Sequence, residues 1–253
     1  METSLESLAK RLIRAAKRRL QRPPEPIDYT GNEQADRLIA DLQRYPHAFV
    51  LASLVDRQVK SQVAWMVPWE LKNRLGTFDF AALASLSQAK LKHLMQRPKP
   101  LHRFPATMAK VLYAAIQRIA THYRENAANI WNDRPSSATL VRRFYEFDGV
   151  GPKIATMAAN LLVRDFHIPL SDYYALDISV DVHVRRVFHR LGFIPRRADR
   201  YYVVLRAREL SPEYPGIFDK ILWDLGRTVC RPRRPRCSQC PWASDCRFAQ
   251  RPR

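Results

Sequence analysis

The fold of this chain is decided by the stretch Phe147–Ala155, which reads F-D-G-V-G-P-K-I-A. Two of the seven glycines in the sequence, Gly149 and Gly151, fall in this stretch on either side of Val150. Apolar residues recur at helical spacing before and after them, so the pattern predicts two helices joined by a tight turn. Pro152 suits the first turn of the second helix, where a backbone N–H has no helical partner.

The same turn predicts an anion site. Backbone N–H groups in a tight turn and at a helix N-terminus attract phosphate oxygens. The composition agrees, because the 253 residues contain 43 Lys and Arg against 24 Asp and Glu, a net charge of +19. Such an excess favours nucleic acid as the partner, although a solubility charge or a codon bias would also produce it. We therefore expect Gly149, Val150 and Gly151 to bind a DNA phosphate.

The remainder of the chain predicts an all-α protein. Glycine is scarce, which argues against barrels and against Gly-rich nucleotide-binding sheets. Helical periodicity recurs along the chain, for example over 2–22, 46–66 and 79–95, and the one short strand-like stretch is Ile178–Val184. No apolar run approaches the roughly 20 residues that a membrane helix needs, and we expect no signal peptide.

Four cysteines near the C-terminus predict one metal site. They are spaced C-x6-C-x2-C-x5-C in a segment rich in proline and arginine. Three interpretations remain open on this pattern alone. A cubane iron–sulfur cluster tolerates uneven spacing, zinc usually takes two short C-x2-C pairs, and two disulfides would need an oxidising compartment. The residues concerned are Cys230, Cys237, Cys240 and Cys246.

The segment between the first two cysteines, residues 231–236, contains four arginines and is called the arginine loop below. A metal centre at both ends would fix this loop, and fixed guanidinium groups bind phosphate oxygens at a low entropic cost. A solvated run of charge would not need such fixing, so the phosphate role is favoured. The arginines are Arg231, Arg233, Arg234 and Arg236.

With the glycine turn about 80 residues before this cysteine pattern, the chain resembles the endonuclease III branch of the helix-hairpin-helix (HhH-GPD) DNA glycosylase superfamily. The family hairpin reads L-P-G-V-G-x-K-T-A, and the family segment V-D-T-H is matched here by V-D-V-H at residues 180–183. The resemblance implies a catalytic lysine at Lys153, a catalytic aspartate at Asp181 and one [4Fe-4S] cluster per chain on the four cysteines. It also matches Gln58 to the glutamine that fills the gap left by a flipped nucleotide.

The resemblance implies two helical domains with the active site in the cleft between them. A six-helix domain would span residues 41–164 and include the helix-hairpin-helix at about 140–162. A discontinuous helical domain would combine residues 1–40 with 165–253 and carry the cluster loop at 230–246. The implied partner is double-stranded DNA with a damaged base or an abasic site. We expect a monomer without a membrane partner, located in the cytoplasm (nucleoid) if the source is prokaryotic.

The activity that the resemblance implies is base excision repair by a bifunctional glycosylase, which removes a damaged base and then cleaves the abasic site by β-elimination. An oxidised pyrimidine is the default substrate. The composition supports a nucleophilic Lys153, because the chain has 33 arginines and 10 lysines and a site needing only positive charge would usually hold arginine. The alternatives are a monofunctional glycosylase for mismatched adenine or thymine, and a non-catalytic protein that binds DNA damage.

The sequence departs from the family pattern in two places. The stretch between Lys153 and Asp181 is about ten residues longer than usual, and its Tyr173 and Tyr174 are candidates for stacking on a flipped base. The loop that normally wedges into the duplex is replaced by residues 98–103, where His102 and Arg103 are further candidates for the base pocket.

Overall fold

The computed structural model describes residues 4–23 and 25–250, and these residues form helices and loops without a strand, which confirms the all-α prediction. None of the described helices is long and apolar enough to cross a membrane. The α-helices are α1 (Ser4–Leu20), α2 (Glu33–Ala40), α3 (Pro46–Leu54), α4 (Ser61–Trp65), α5 (Val67–Leu75), α6 (Phe80–Ala84), α7 (Gln88–Gln96), α8 (Pro105–His122), α9 (Ser137–Tyr145), α10 (Pro152–Asp165), α11 (Val182–Leu191), α12 (Arg200–Leu210) and α13 (Asp219–Thr228). Short 3₁₀ helices lie at Ala127–Ile130, Pro215–Phe218, Cys237–Gln239 and Ala243–Asp245.

The chain divides into two compact units. The hairpin unit is Pro24–Leu170, and the cysteine unit is Met1–Pro23 with Ser171–Arg253. The hairpin unit therefore includes α2, which the sequence assigned to the other domain. The reason is packing, since α2 buries its apolar face against α3 and α5. The first residues of the helix predicted over 2–22 lie outside the described part of the chain.

Helix α3 is the centre of the hairpin unit. All nine of its residues are buried, as expected for a helix that is apolar on every side. Helices α2, α5, α8 and α10 pack around it. The ring of Phe49 contacts four other aromatic rings, with centroid distances of 5.3–6.5 Å. Helix α10, which carries Lys153 in its first turn, is one of the helices that pack on this core.

The single helix predicted over 46–66 is wrong. Helix α3 ends at Leu54 and α4 begins at Ser61. Between them Gln58 has a φ of +55°, a left-handed conformation that cannot continue a right-handed helix. The stretch 79–95 likewise forms two helices, and the side chain of Ser87 caps the second by accepting the Lys90 N–H at 3.1 Å. The first of these breaks creates a loop in which Gln58 is exposed.

The cysteine unit has its own core, formed mainly by α1, α11, α13 and the 3₁₀ helix Pro215–Phe218. The stretch predicted as strand-like contributes chain without regular secondary structure and then the start of α11. Its Ser179 N–H donates to the carboxylate of Asp219 at 2.9 Å, which fixes the chain before α11. Helices α11 and α13 approach closely at His183 and Gly226.

This close approach requires glycine at position 226. A Cβ there would lie 2.6 Å from the Cβ of His183 and 3.1 Å from its Cα, so α11 and α13 would have to separate. We expect Gly226→Ala to lower the free energy of unfolding by ~1–3 kcal/mol, as overpacking does. Urea unfolding followed by circular dichroism measures this change.

Gly151→Ala is the matched control, because no atom lies within 4 Å of a Cβ at that position. Its stability should fall by less than ~1 kcal/mol, because alanine is only a somewhat poorer N-cap than glycine and its Cβ meets no other atom. If Gly226→Ala were as stable as this control, the close packing of the two helices would be contradicted.

Candidate functional site

The predicted turn joins α9 to α10. Gly149 has a φ of +75°, in the left-handed region that favours glycine. The Val150 N–H donates to the Phe147 carbonyl at 3.0 Å, and the Val150 side chain is buried while Gly149 is exposed. Gly151 is the N-cap of α10 and has no side chain to bond the first turn. The end of α10 therefore keeps backbone donors for an anion such as a phosphate.

A second loop of the hairpin unit packs beside this turn, and a third loop packs against the second. The guanidinium of Arg57 lies close to Gly149, since a Cβ added to Gly149 would be 3.2 Å from Nη1 of Arg57. The same guanidinium donates to the Leu54 carbonyl at 2.8 Å. His102 joins the third loop to the same residue through a hydrogen bond of 3.1 Å between its Nε2 and the Arg57 carbonyl. The three loops are thus connected through Arg57, the residue before the exposed Gln58.

His102 is a structural residue in this arrangement. It is 3% exposed, and burial lowers the pKa of its imidazole. Its Nδ1 accepts the Phe104 N–H at 3.0 Å, so Nε2 carries the proton and donates to Arg57. No ring nitrogen is left for a base edge. Arg103 is exposed instead, with its guanidinium 5.2 Å from the centroid of the Phe104 ring.

Lys153 lies in the first turn of α10, directly after the glycine turn. Its side chain is 32% exposed, and its Nζ is 3.8 Å from Oδ2 of Asp56 and 3.3 Å from Sδ of Met157. Asp56 is only 12% exposed, and the indole N–H of Trp65 donates to the same Oδ2 at 3.4 Å. Asp56 is not among the functional residues that the sequence predicts.

Asp181 is the N-cap of α11 in the cysteine unit. Its Oδ1 accepts the backbone N–H groups of His183 at 2.8 Å and Val184 at 2.7 Å. These bonds fix the orientation of the carboxylate, as in an ordinary helix cap. Both bonds use Oδ1, so Oδ2 takes no part in capping. A carboxylate held in this way can face a developing positive charge without reorganising.

The long segment before Asp181 is anchored to the cysteine unit. The guanidinium of Arg208 forms two hydrogen bonds of 2.7 and 2.8 Å with the carboxylate of Asp177. The ring of Tyr173 packs on Tyr214 with centroids 5.5 Å apart, whereas Tyr174 is 56% exposed. Tyr174 is therefore the more accessible of the two predicted stacking residues.

The four cysteines form one group of free thiols. Cys246 is buried and the other three are partly buried. Burial raises the pKa of the Cys240 thiol, and the neighbouring thiols of Cys246, Cys230 and Cys237 raise it further. Within residues 4–23 and 25–250, no three His, Cys, Asp or Glu side chains are arranged around a position for a single metal ion.

Two arginines of α11 hold the first part of the cysteine segment. Nη1 of Arg190 donates to Sγ of Cys230 at 3.3 Å and to the Arg231 carbonyl at 2.7 Å, and Nη2 donates to the Pro232 carbonyl at 2.9 Å. Nε of Arg186 donates to the Cys230 carbonyl at 2.9 Å. These bonds fix the backbone at the start of the arginine loop, while the side chains of its four arginines are exposed. Arg186 and Arg190 are one helical turn apart in the sequence, and this spacing is the feature that could have predicted their contact with the cysteine segment.

Comparisons with known proteins agree with this fold. The model of the HhH-GPD superfamily base excision DNA repair proteins matches residues 51–213. The chain is 26% identical over 228 residues to endonuclease III homolog 1, chloroplastic, of Arabidopsis thaliana, which covers 87% of this chain and 54% of that protein. It is 52% identical over 42 residues to human adenine DNA glycosylase, covering 17% of this chain and 8% of that protein.

A solved structure of endonuclease III in a trapped covalent intermediate with DNA has the same fold, with a TM-score of 0.64, 17% identity and 98% of each chain covered. The family model matches well over half of the chain. The protein therefore belongs to the HhH-GPD superfamily of base excision DNA repair proteins. The chain spans about half or less of the length of the two curated relatives given above.

The arginine loop yields a prediction about DNA binding. If Arg233 and Arg234 each neutralise one phosphate, each Arg→Ala substitution should weaken binding to all duplexes alike. Each should also make the slope of log K against log salt shallower by ~0.9. A salt titration of the double variant, followed by fluorescence anisotropy, measures the slope.

Arg196→Ala with Arg197→Ala removes the same charge from another exposed site of the cysteine unit and serves as the control. Its effect should be small and should fade at physiological salt, because distant charges are screened. An unchanged slope in the Arg233 and Arg234 double variant would mean that the arginine loop does not contact DNA.

Proposed function

We propose that this protein is a DNA glycosylase with abasic-site lyase activity, which acts on damaged bases in duplex DNA. The observation that carries the proposal is the position of Lys153. Its primary amine is partly exposed and directly follows an anion-binding turn, so a backbone phosphate bound at that turn would bring a deoxyribose within reach. An oxidised pyrimidine is the proposed class of substrate.

The chemistry begins with a nucleotide that has left the base stack. The neutral amine of Lys153 attacks C1′ of the sugar, and the glycosidic C–N bond breaks with its electron pair leaving on the base. The displaced base takes up a proton, and the C1′–O4′ bond then opens to give a Schiff base. Loss of the acidified C2′ proton expels the 3′ phosphate. Asp181 stabilises the positive charge that develops on the sugar, because its carboxylate is already fixed by its capping bonds.

We further propose that the four cysteines hold one [4Fe-4S] cluster. Four thiols as a group are the donor set that such a cluster takes. The guanidinium groups of Arg186 and Arg190 fit the negative charge of a cluster with thiolate ligands, and Arg190 already donates to Cys230 Sγ. When bound, the cluster would supply a rigid cross-link for the arginine loop. Because all of its ligands would come from the protein, no coordination position would be left for a substrate. The role of the cluster would therefore be structural, as in closed metal sites.

The metal content tests the proposal for the cysteines. Protein purified without exposure to oxygen should be yellow-brown and contain four irons per chain, because four thiolates match one cubane cluster. Elemental analysis by mass spectrometry measures iron and zinc in the same sample. One zinc per chain in a colourless protein would contradict the proposal.

Substitution of the two catalytic candidates tests the proposed activity. Lys153→Ala should abolish borohydride trapping on abasic-site DNA and strand cleavage, while DNA binding is retained. Asp181→Asn should slow base removal by ~10²-fold or more, as loss of an electrostatic stabiliser does. Both rates are measured on duplexes that carry one lesion each.

Lys220→Ala serves as the lysine control, because Lys220 lies on α13 and is paired with Asp224 at 2.5 Å. It should trap DNA at the wild-type rate. Trapping that persists in Lys153→Ala would place the nucleophile elsewhere, and a wild-type protein that binds damaged DNA without trapping or base release would be a non-catalytic damage-binding protein.

A second candidate function is excision of adenine from a mismatch. It is favoured by the 42-residue segment that is 52% identical to human adenine DNA glycosylase. A panel of duplexes with oxidised pyrimidines, mismatched thymine and mismatched adenine distinguishes the candidates. Release of adenine without a borohydride adduct would support the second candidate over the first.

A further inference from the structure

Among residues 4–23 and 25–250, one carboxylate lies beside the amine of Lys153. The Nζ atom lies 3.8 Å from Oδ2 of Asp56, which belongs to the loop between α3 and α4. Its other polar contact is Sδ of Met157 at 3.3 Å, and a thioether is only a weak acceptor that cannot take a proton. Asp56 is therefore the group beside this amine that can stabilise the positive charge of the Lys153 ammonium and accept its proton.

The Asp56 carboxylate is held in place by its surroundings. Its side chain is 12% exposed, and the Trp65 indole N–H donates to Oδ2, the same oxygen that faces Lys153. The adjacent Arg57 uses its guanidinium on the Leu54 carbonyl. A carboxylate with so little exposure needs a cation or hydrogen bonds to offset its desolvation, and Lys153 and Trp65 supply them.

We propose that Asp56 is the positioning residue for Lys153, and that its carboxylate accepts the ammonium proton before the amine attacks the sugar. The proposal rests on the proposed glycosylase and lyase function. The separation of 3.8 Å is an ion-pair distance, and such pairs commonly shorten to a hydrogen bond only when substrate is bound. Asp56 thus fixes where the nucleophilic nitrogen lies relative to the glycine turn.

The proton transfer balances without another reactant. One proton moves from the Lys153 ammonium to the Asp56 carboxylate and leaves a neutral amine and a neutral acid. The amine lone pair then forms the bond to C1′ while the glycosidic bond breaks, and the departing base takes up the proton that the new C1′–N bond releases. At an abasic site the same lone pair attacks the C1′ aldehyde and water leaves. Covering the pair with DNA favours this transfer, because two charges are costly to remove from water and a neutral pair is not.

Single-turnover borohydride trapping on a duplex with one abasic site tests the proposal. In Asp56→Asn, the trapping rate at saturating protein should fall by about 10²-fold, which is the size of a general-base contribution. The protein concentration at half-saturation should stay at the wild-type value, because the glycine turn and the arginine loop are intact. Asp56→Glu keeps a carboxylate and should recover most of the rate.

Asp133→Asn is the matched control, because it removes the ion pair with Arg143 in the same unit and changes the charge equally. It should trap at the wild-type rate. If Asp56→Asn fails to fold by circular dichroism, Asp56→Ser carries the same prediction.

Each of the following outcomes would overturn the proposal. Wild-type trapping by Asp56→Asn would show that the carboxylate is not needed, and the glycosylase and lyase function would stand. A loss of rate matched by a loss of binding, or an Asp56→Glu variant as slow as Asp56→Asn, would show a purely structural role. A wild-type protein that never traps DNA would refute the proposed function itself.

Discussion

The left-handed backbone of Gly149 is the constraint on which the hairpin unit depends. It reverses the chain between α9 and α10, and a residue with a Cβ would be strained at this φ and would meet the guanidinium of Arg57. Pro152 then begins α10, which places Lys153 in the first helical turn. The packing of Arg57 beside Gly149 also determines the course of the loop that carries Asp56 and Gln58. One turn therefore positions both an anion site and the amine beside it.

In the cysteine unit the comparable element is α11. Its N-terminus is capped by Asp181, and it carries Arg186 and Arg190, which hold the cysteine segment. Gly226 lets α13 approach α11 at His183, two residues after the cap. A single helix thus supports the proposed electrostatic catalyst at one end and the arginine loop along its length.

Local sequence patterns predicted the parts of the site that depend on local physics. The glycine turn follows from Gly149, Gly151 and Pro152, whose conformational preferences act over a few residues. Asp181 caps α11 through bonds to residues that follow it directly in the chain, and this role is compatible with the proposed charge stabilisation. The grouping of the four thiols follows from their short spacing in the sequence.

The features that the sequence did not predict are imposed by tertiary contacts. Residues 55–60 contain neither glycine nor proline, and the helix breaks there where Arg57 packs against the glycine turn and accepts a hydrogen bond from His102. The same contact buries His102, which the sequence offered as a residue of the base pocket. Asp56 gained a role only because this break places its carboxylate beside Lys153.

The most direct test of the account is to identify the residue that becomes attached to DNA. The borohydride-reduced adduct with abasic-site DNA would be digested with protease and nuclease and sequenced by tandem mass spectrometry. The account predicts that the reduced sugar remnant is on Lys153. A remnant on another amine, such as the exposed Lys60 of the neighbouring loop, would contradict the assignment of the nucleophile.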